Sequence, residues 1–252
     1  MPIPYKVKKL RLNIAKDLDF LARLFEANGL NSEPIIKAAS QLKSDDPVVY
    51  DGIGQSDYWG YEVNNLCIPF SENPEIIHPK DADLLELRIN CKIIADSHFY
   101  NTMADPLIHL DFEVLIEALS EEKNNSIYTG FHIDRHLDGA QEPAELHPFY
   151  HIHFGGRRLN HDTCDYGRSL FLGAPRILCY PIDLILGIDI IICNYFPSLK
   201  KAFHRDHNFI SILKEQQNLF WKPFFHSLAS QWSGYNAAAN IWLPKKIWPQ
   251  LI

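Results

Sequence analysis

The chain lacks an excess of positive charge, a Cys-x-x-Cys pair, a charge-free apolar run of membrane length and the common nucleotide and hydrolase signatures. Its formal net charge of −7 argues against a surface that is all nucleic-acid footprint, because non-specific binding rests on clustered Lys and Arg neutralising phosphates. Two local basic patches stand out, Lys6 to Arg11 and the group Arg157, Arg158 and Arg168. There is no Walker A loop, no G-x-G-x-x-G after a strand, no G-x-S-x-G, no H-E-x-x-H and no EF-hand loop, so ATP use, dinucleotide binding and the usual hydrolase nucleophiles lose support. The five cysteines, Cys67, Cys91, Cys164, Cys179 and Cys193, are scattered and cannot all pair within one chain. With no apolar h-region after the basic residues of the N-terminus, the expectation is a reducing cytoplasm. Ile177 to Phe196 has the length of a span but carries Asp183, Asp189 and Asn194. Each mid-bilayer Asp costs about 2.5–3.5 kcal/mol, so a buried helix is expected there and no membrane partner.

What is present is enough for a sizeable core: 252 residues, 46% of them apolar, with 22% charged, an ordinary globular balance. No repeat, low-complexity stretch or linker divides the chain, so a single domain over 1–252 is expected. Leu18, Leu21, Ala22 and Phe25 fall at helical spacing and Asn28-Gly29 is a C-terminal stop. A second helix is expected from an N-cap at Ser32, through Pro34 in the first turn, to Leu42. The two would form a helical hairpin over 1–45. From Lys43 to Asp83, Asp, Gly, Asn and Pro point to loops with short edge strands near Val48–Tyr50 and Asn65–Phe70. Leu85, Leu87, Ile89, Cys91 and Ile93 alternate with polar residues and predict a half-buried strand. Ile108 to Val114 also alternates and is read as a strand, although Asp105-Pro106 would also make a helix start. Strands at Ile127–Leu137 and Pro148–Phe154 complete an antiparallel meander over 84–156. Helices over 180–235 follow, the first starting near Asp183 and stopped by Pro197, a later one broken or kinked at Pro223. The fold class is α+β, with the N-terminal hairpin and C-terminal helices packed on a central antiparallel sheet.

Chemistry is concentrated between Phe131 and Gly156. At the two-residue period of a strand, His132, Asp134 and His136 share one face, and His147, His151 and His153 share another. Six of the twelve histidines lie between positions 132 and 161. If the two segments pair as neighbours, imidazoles and a carboxylate meet on one side of a sheet, with Cβ atoms about 4.5–7 Å apart.

Three readings of that face compete. In one, His132, Asp134, His151 and His153 hold a divalent metal, Zn, Mn or Fe in preference to Mg, and an open coordination position activates water. In another, histidines and Asp134 form a general acid–base set. One imidazole takes a 2′-hydroxyl proton of RNA and another protonates the leaving oxygen, while Arg157 and Arg158 after Gly155-Gly156 hold the phosphate. Arg176 is a further phosphate contact. In the third, the face is a structural or interface network. Asn160 to Asp165 reads as a turn, and His204-Arg205-Asp206-His207 as a helix start.

The run His147-Pro148-Phe149-Tyr150-His151-Ile152-His153-Phe154-Gly155-Gly156, then Pro175-Arg176-Ile177, then Pro181-Ile182-Asp183 through Asn194-Tyr195-Phe196, resembles a group of uncharacterised bacterial proteins. Their shared features are a His-Pro-x-x-His strand, a Pro-Arg-Ile element and an apolar helix ending in Asn and an aromatic. Some members look like components of mobile-element or anti-phage defence operons beside helicases or nucleases, which implies nucleic acid as substrate or partner. The leading expectation is thus a cytoplasmic nucleic-acid phosphodiesterase resembling an endoribonuclease effector. His132, Asp134, His136, His151 and His153 are its catalytic candidates, and Arg157, Arg158 and Arg176 its substrate contacts. The alternative is a non-enzymatic accessory subunit that docks on a helicase or nuclease partner through the aromatic C-terminal region, with Trp221, Trp232, Trp242 and Trp248.

Overall fold

The computed structural model describes residues 5–44, 49–50, 53–54, 58–70, 82–96, 105, 107–120, 125–135, 148–155 and 177–233. Helix α1 (Tyr5–Ala27) and helix α2 (Glu33–Lys43) form the N-terminal hairpin. Helix α1 begins well before Leu18, the first residue of the helical spacing, because its buried stripe of Val7, Arg11, Ile14 and Leu18 includes a charged residue that hides the period. Arg11 is buried because its guanidinium donates to Leu42 O at 3.2 Å and to Ser44 O, satisfying carbonyls at the end of α2. Gly29, at φ 72°, ends α1. Leu30 N donates to Phe25 O at 2.9 Å and Gly29 N to Glu26 O at 3.0 Å, the two-bond cap that needs a left-handed residue. Ser32 precedes α2 as expected, but its hydroxyl donates to Glu26 Oε1 at 2.7 Å instead of accepting from the first turn.

Six antiparallel strands follow in spatial order equal to chain order: β3 (Tyr58–Pro69), β4 (Ala82–Asp96), β5 (Leu107–Ser120), β6 (Asn125–Arg135), β7 (Tyr150–Phe154) and β8 (Ile177–Leu178). A separate two-stranded ribbon pairs β1 (Val49–Tyr50) with β2 (Ile53–Gly54). The main sheet thus extends beyond the 84–156 span on both sides. Strand β3 is long, where the sequence shows only a short apolar run. Its buried positions are Trp59, Tyr61 and Val63, then Leu66 and Ile68. The parity changes at a register shift between Val63 and Leu66, with Asn65 at φ 56°. This β-bulge returns the apolar side chains to the core face and breaks the alternation in the sequence. Gln41 of α2 accepts from the Glu62 backbone at 2.7 Å, occupying a donor on this edge strand.

The C-terminal helices are α3 (Leu184–Tyr195), α4 (Pro197–Phe203) and α5 (His207–Ser233). Asp183 caps α3, accepting from Leu186 N at 2.8 Å; burial first of all pushes this carboxyl up to about 7. Pro197 both ends α3 and opens α4 at a position where its missing N–H costs nothing. Pro223 lies inside one continuous α5. No helix among the described residues is long and apolar enough to cross a membrane.

Helices and sheet meet on the face that carries Tyr61, Phe112 and Tyr150. Tyr61 OH accepts from Leu184 N at 3.2 Å, and Tyr150 stands edge-on to Phe224 with ring centroids 6.4 Å apart. A Cβ on Gly187 would lie 2.3 Å from the Phe112 ring, so α3 crosses β5 at a distance only glycine permits.

The same face buries a polar knot. Asp105 is not a helix cap: it accepts from Arg135 Nε at 3.0 Å, Tyr150 OH at 2.8 Å and Leu107 N at 3.1 Å. Arg135 also donates to Ile108 O at 2.8 Å and lies 4.1 Å over the Phe149 ring. Burial raises the Asp105 carboxyl, opposed by the Arg135 charge and these hydrogen bonds. Replacing Asp105 with Ala strips a buried guanidinium of its carboxylate, so Asp105→Ala is expected to cost about 3–5 kcal/mol. A urea midpoint equal to that of the parent would contradict this.

Candidate functional site

The pairing of β6 with β7 sets Arg135 opposite Tyr150, Asp134 opposite His151, Ile133 opposite Ile152 and His132 opposite His153. Because side chains alternate, Arg135 and Tyr150 enter the helix-covered core while His132, Asp134, His151 and His153 share the other face. Strand β5 adds Asp111 opposite Asp134 and Glu113 opposite His132. Two polar rows therefore cross the sheet, one of Asp111, Asp134 and His151, the other of Glu113, His132 and His153. Glu113 is anchored in turn by Asn90, which donates to it at 2.9 Å.

His151 is almost wholly buried, at 1% exposure. Its Nδ1 lies 3.0 Å from Pro148 O and therefore donates, while Nε2 lies 2.6 Å from Asp134 Oδ1. Ring and carboxylate are in direct contact at that separation. Both nitrogens are thereby occupied by the protein. Asp134 presents its second oxygen to His132, with Nε2 at 3.6 Å. The His132 and His153 rings are 4.7 Å apart between centroids, and those of His151 and His153 5.0 Å apart. Burial works to raise the Asp134 carboxyl, but the hydrogen bond and charge of His151, together with His132 and His153, outweigh it and hold the group below its usual value.

Among the described residues, no three ligand atoms drawn from His132, Asp134, His151 and His153 lie within 4.8 Å of one another, whereas Asp189, Cys193 and His204 do meet that condition. His136, Arg157, Arg158 and Arg176 lie outside the described residues, as do His147 and Asn160 to Asp165. Of the four-residue stretch at the helix start, Asp206 caps α5, accepting from Asn208 N at 2.8 Å and Phe209 N at 3.3 Å. His204 does something else and points to Asp189, with Nε2 at 2.6 Å from Oδ1. The sequence holds one local sign of this second cluster, Asp189 and Cys193 four apart on an otherwise apolar helix. The third member comes from beyond α4.

No protein-family model, curated protein or solved structure matches the chain.

The lowered Asp134 carboxyl has a pH consequence. A folded value below the unfolded one stabilises the protein above the ordinary carboxylate range, and that contribution is lost as pH falls through the folded value. Parent and Asp134→Asn are therefore expected to differ in urea midpoint near pH ~6 and to converge toward pH ~3. A gap that widens with acid would exclude an ionised Asp134.

Proposed function

We propose that the β6–β7 face is the acid–base centre of a nucleic-acid phosphodiesterase, an RNA endonuclease-like effector working in the cytoplasm. The observation that carries this reading is the chain of contacts from Pro148 O through His151 to Asp134 and on to His132, with His153 beside it. His132 and His153 are then the groups that meet substrate, because His151 has both nitrogens engaged and is sealed from solvent. Asp134 orients His132, and His151 is a positioning residue that fixes Asp134. Imidazoles titrate near neutrality, so one ring takes the 2′-hydroxyl proton while the other protonates the departing 5′ oxygen. This leaves a cyclic phosphate and needs no metal at these residues. Arg157 and Arg158, which follow Gly155-Gly156 in the chain, are proposed to neutralise the phosphate that the carboxylate-rich face would otherwise repel. His136 and Arg176 remain further candidates for acid–base and phosphate contact.

A second reading, the accessory subunit docking on a helicase or nuclease partner, draws on the 69% exposure of Trp232 near the end of α5, since tryptophan anchors are enriched at interfaces. A role in anti-phage defence belongs to either reading and rests on the resemblance around His147 to Phe196.

Single-turnover RNA cleavage distinguishes the two. His132→Ala and His153→Ala are each expected to slow cleavage about 10²–10⁴-fold, a substrate with 2′-deoxyribose at the cut position to resist, and a chelator to leave the rate unchanged. Cleavage undiminished in both variants, or equal cutting of the deoxy substrate, removes the acid–base proposal.

A further inference from the structure

The second cluster lies on other elements and takes no part in the chemistry above. Asp189 and Cys193 sit one helical turn apart on α3, a helix fixed in the core by Leu184, Ile185, Leu186, Ile188, Ile191 and Ile192. His204 follows Phe203, a fully buried residue packed against Phe25 and Phe209. It is thereby held at the corner between α4 and α5. The three donor atoms converge. Cys193 Sγ is 3.8 Å from Asp189 Oδ1 and 3.8 Å from His204 Nε2, and Nε2 is 2.6 Å from Oδ1.

Two readings of such a trio exist, and one nitrogen separates them. A nucleophilic relay needs the carboxylate on one imidazole nitrogen and the thiol on the other, so that a proton passes through the ring. Here carboxylate and sulfur both face Nε2. Donors that point at a common centre are what a metal ion requires.

We propose that Asp189, Cys193 and His204 form a binding site for a divalent cation of the zinc class, which clamps α3 to the α4–α5 corner. Bond lengths of about 2.3 Å to sulfur and 2.0–2.1 Å to nitrogen and oxygen place tetrahedral ligands roughly 3.5 Å apart for the sulfur pairs and 3.3 Å apart for the N···O pair. The sulfur separations already approach those values. Only the hydrogen-bonded N···O contact must open, by well under an ångström by this estimate, within the reach of small side-chain torsions. Sulfur and imidazole select zinc, cobalt or cadmium over magnesium and calcium. Binding releases the thiol proton of Cys193 to solvent and uses the lone pair of His204 Nε2, its other nitrogen keeping the ring proton. Thiolate and carboxylate together balance the two positive charges. The side chains of Asp189 and His204 are 20% and 32% exposed and Cys193 is exposed, so the ion can enter from solution and water takes the fourth position.

The test uses the full chain and Co²⁺ as the probe. One equivalent is expected to produce thiolate-to-cobalt charge-transfer absorption that one equivalent of Zn²⁺ removes. Cys193→Ser abolishes the band, while His204→Gln and Asp189→Asn weaken Co²⁺ binding about 10-fold or more. Zn²⁺ is also expected to protect Cys193 from alkylation, read by mass spectrometry on the unmodified sequence. No charge-transfer band, a band that survives Cys193→Ser, or alkylation of Cys193 indifferent to Zn²⁺ overturns the proposal. These readouts involve no cleavage, so they stand or fall apart from the β6–β7 reading.

Discussion

The organisation of the molecule depends on the register between β6 and β7, and the buried Arg135–Asp105–Tyr150 knot holds it there. A slip of one residue would turn Arg135 and Tyr150 out of the core and drive His132 and Asp134 into it. The knot opposes that slip because a guanidinium, a carboxylate and a phenol from three chain positions satisfy one another in a space water does not reach. A buried ion pair of this kind adds little net stability over apolar packing, but breaking it is costly. Its contribution here is to specificity, through the alignment of two strands whose other faces carry the histidines.

From that alignment the polar face follows. Asp134 lies between His151 and His132, and its carboxylate contacts both rings. The inner imidazole is in contact at both nitrogens, and the His132 side chain, 23% exposed, is left partly in reach of solvent. An ordered sequence of contacts from the Pro148 carbonyl to the partly exposed His132 ring sets how each group along it is oriented. The trio of Asp189, Cys193 and His204 shows the other geometry available to the same residue types, in which donor atoms converge on one point. Similar chemistry thus separates into two places according to whether each histidine shares its two nitrogens between partners or turns one nitrogen to both.

Legibility in the sequence followed the locality of the interaction. The alternation from Leu85 to Ile93 and the Asn28-Gly29 stop are properties of neighbouring residues and correspond to β4 and the end of α1. The shared parity of His132, Asp134, His151 and His153 was equally visible, since it needs only the two-residue period. The first turns of α1 were hidden because Arg11 occupies a core position whose partners, Leu42 O and Ser44 O, lie far along the chain. Strand β3 was hidden by the bulge at Asn65, which resets the alternation midway. The strand reading of Ile108 to Val114 corresponds to β5, and the competing helix start at Asp105 arose because its actual partners, Arg135 and Tyr150, are thirty and forty-five positions away.

The sequence by itself determined the α+β class, the antiparallel meander and the face on which the histidines fall, because periodicity and turn chemistry act over a few residues. Tertiary structure alone decided which histidine is engaged at both nitrogens and which ring meets which carboxylate. It also decided that His204, rather than a residue near the strands, joins Asp189 and Cys193. Those outcomes depend on ångström-scale distances between residues brought together by strand pairing and helix packing, which no local pattern encodes.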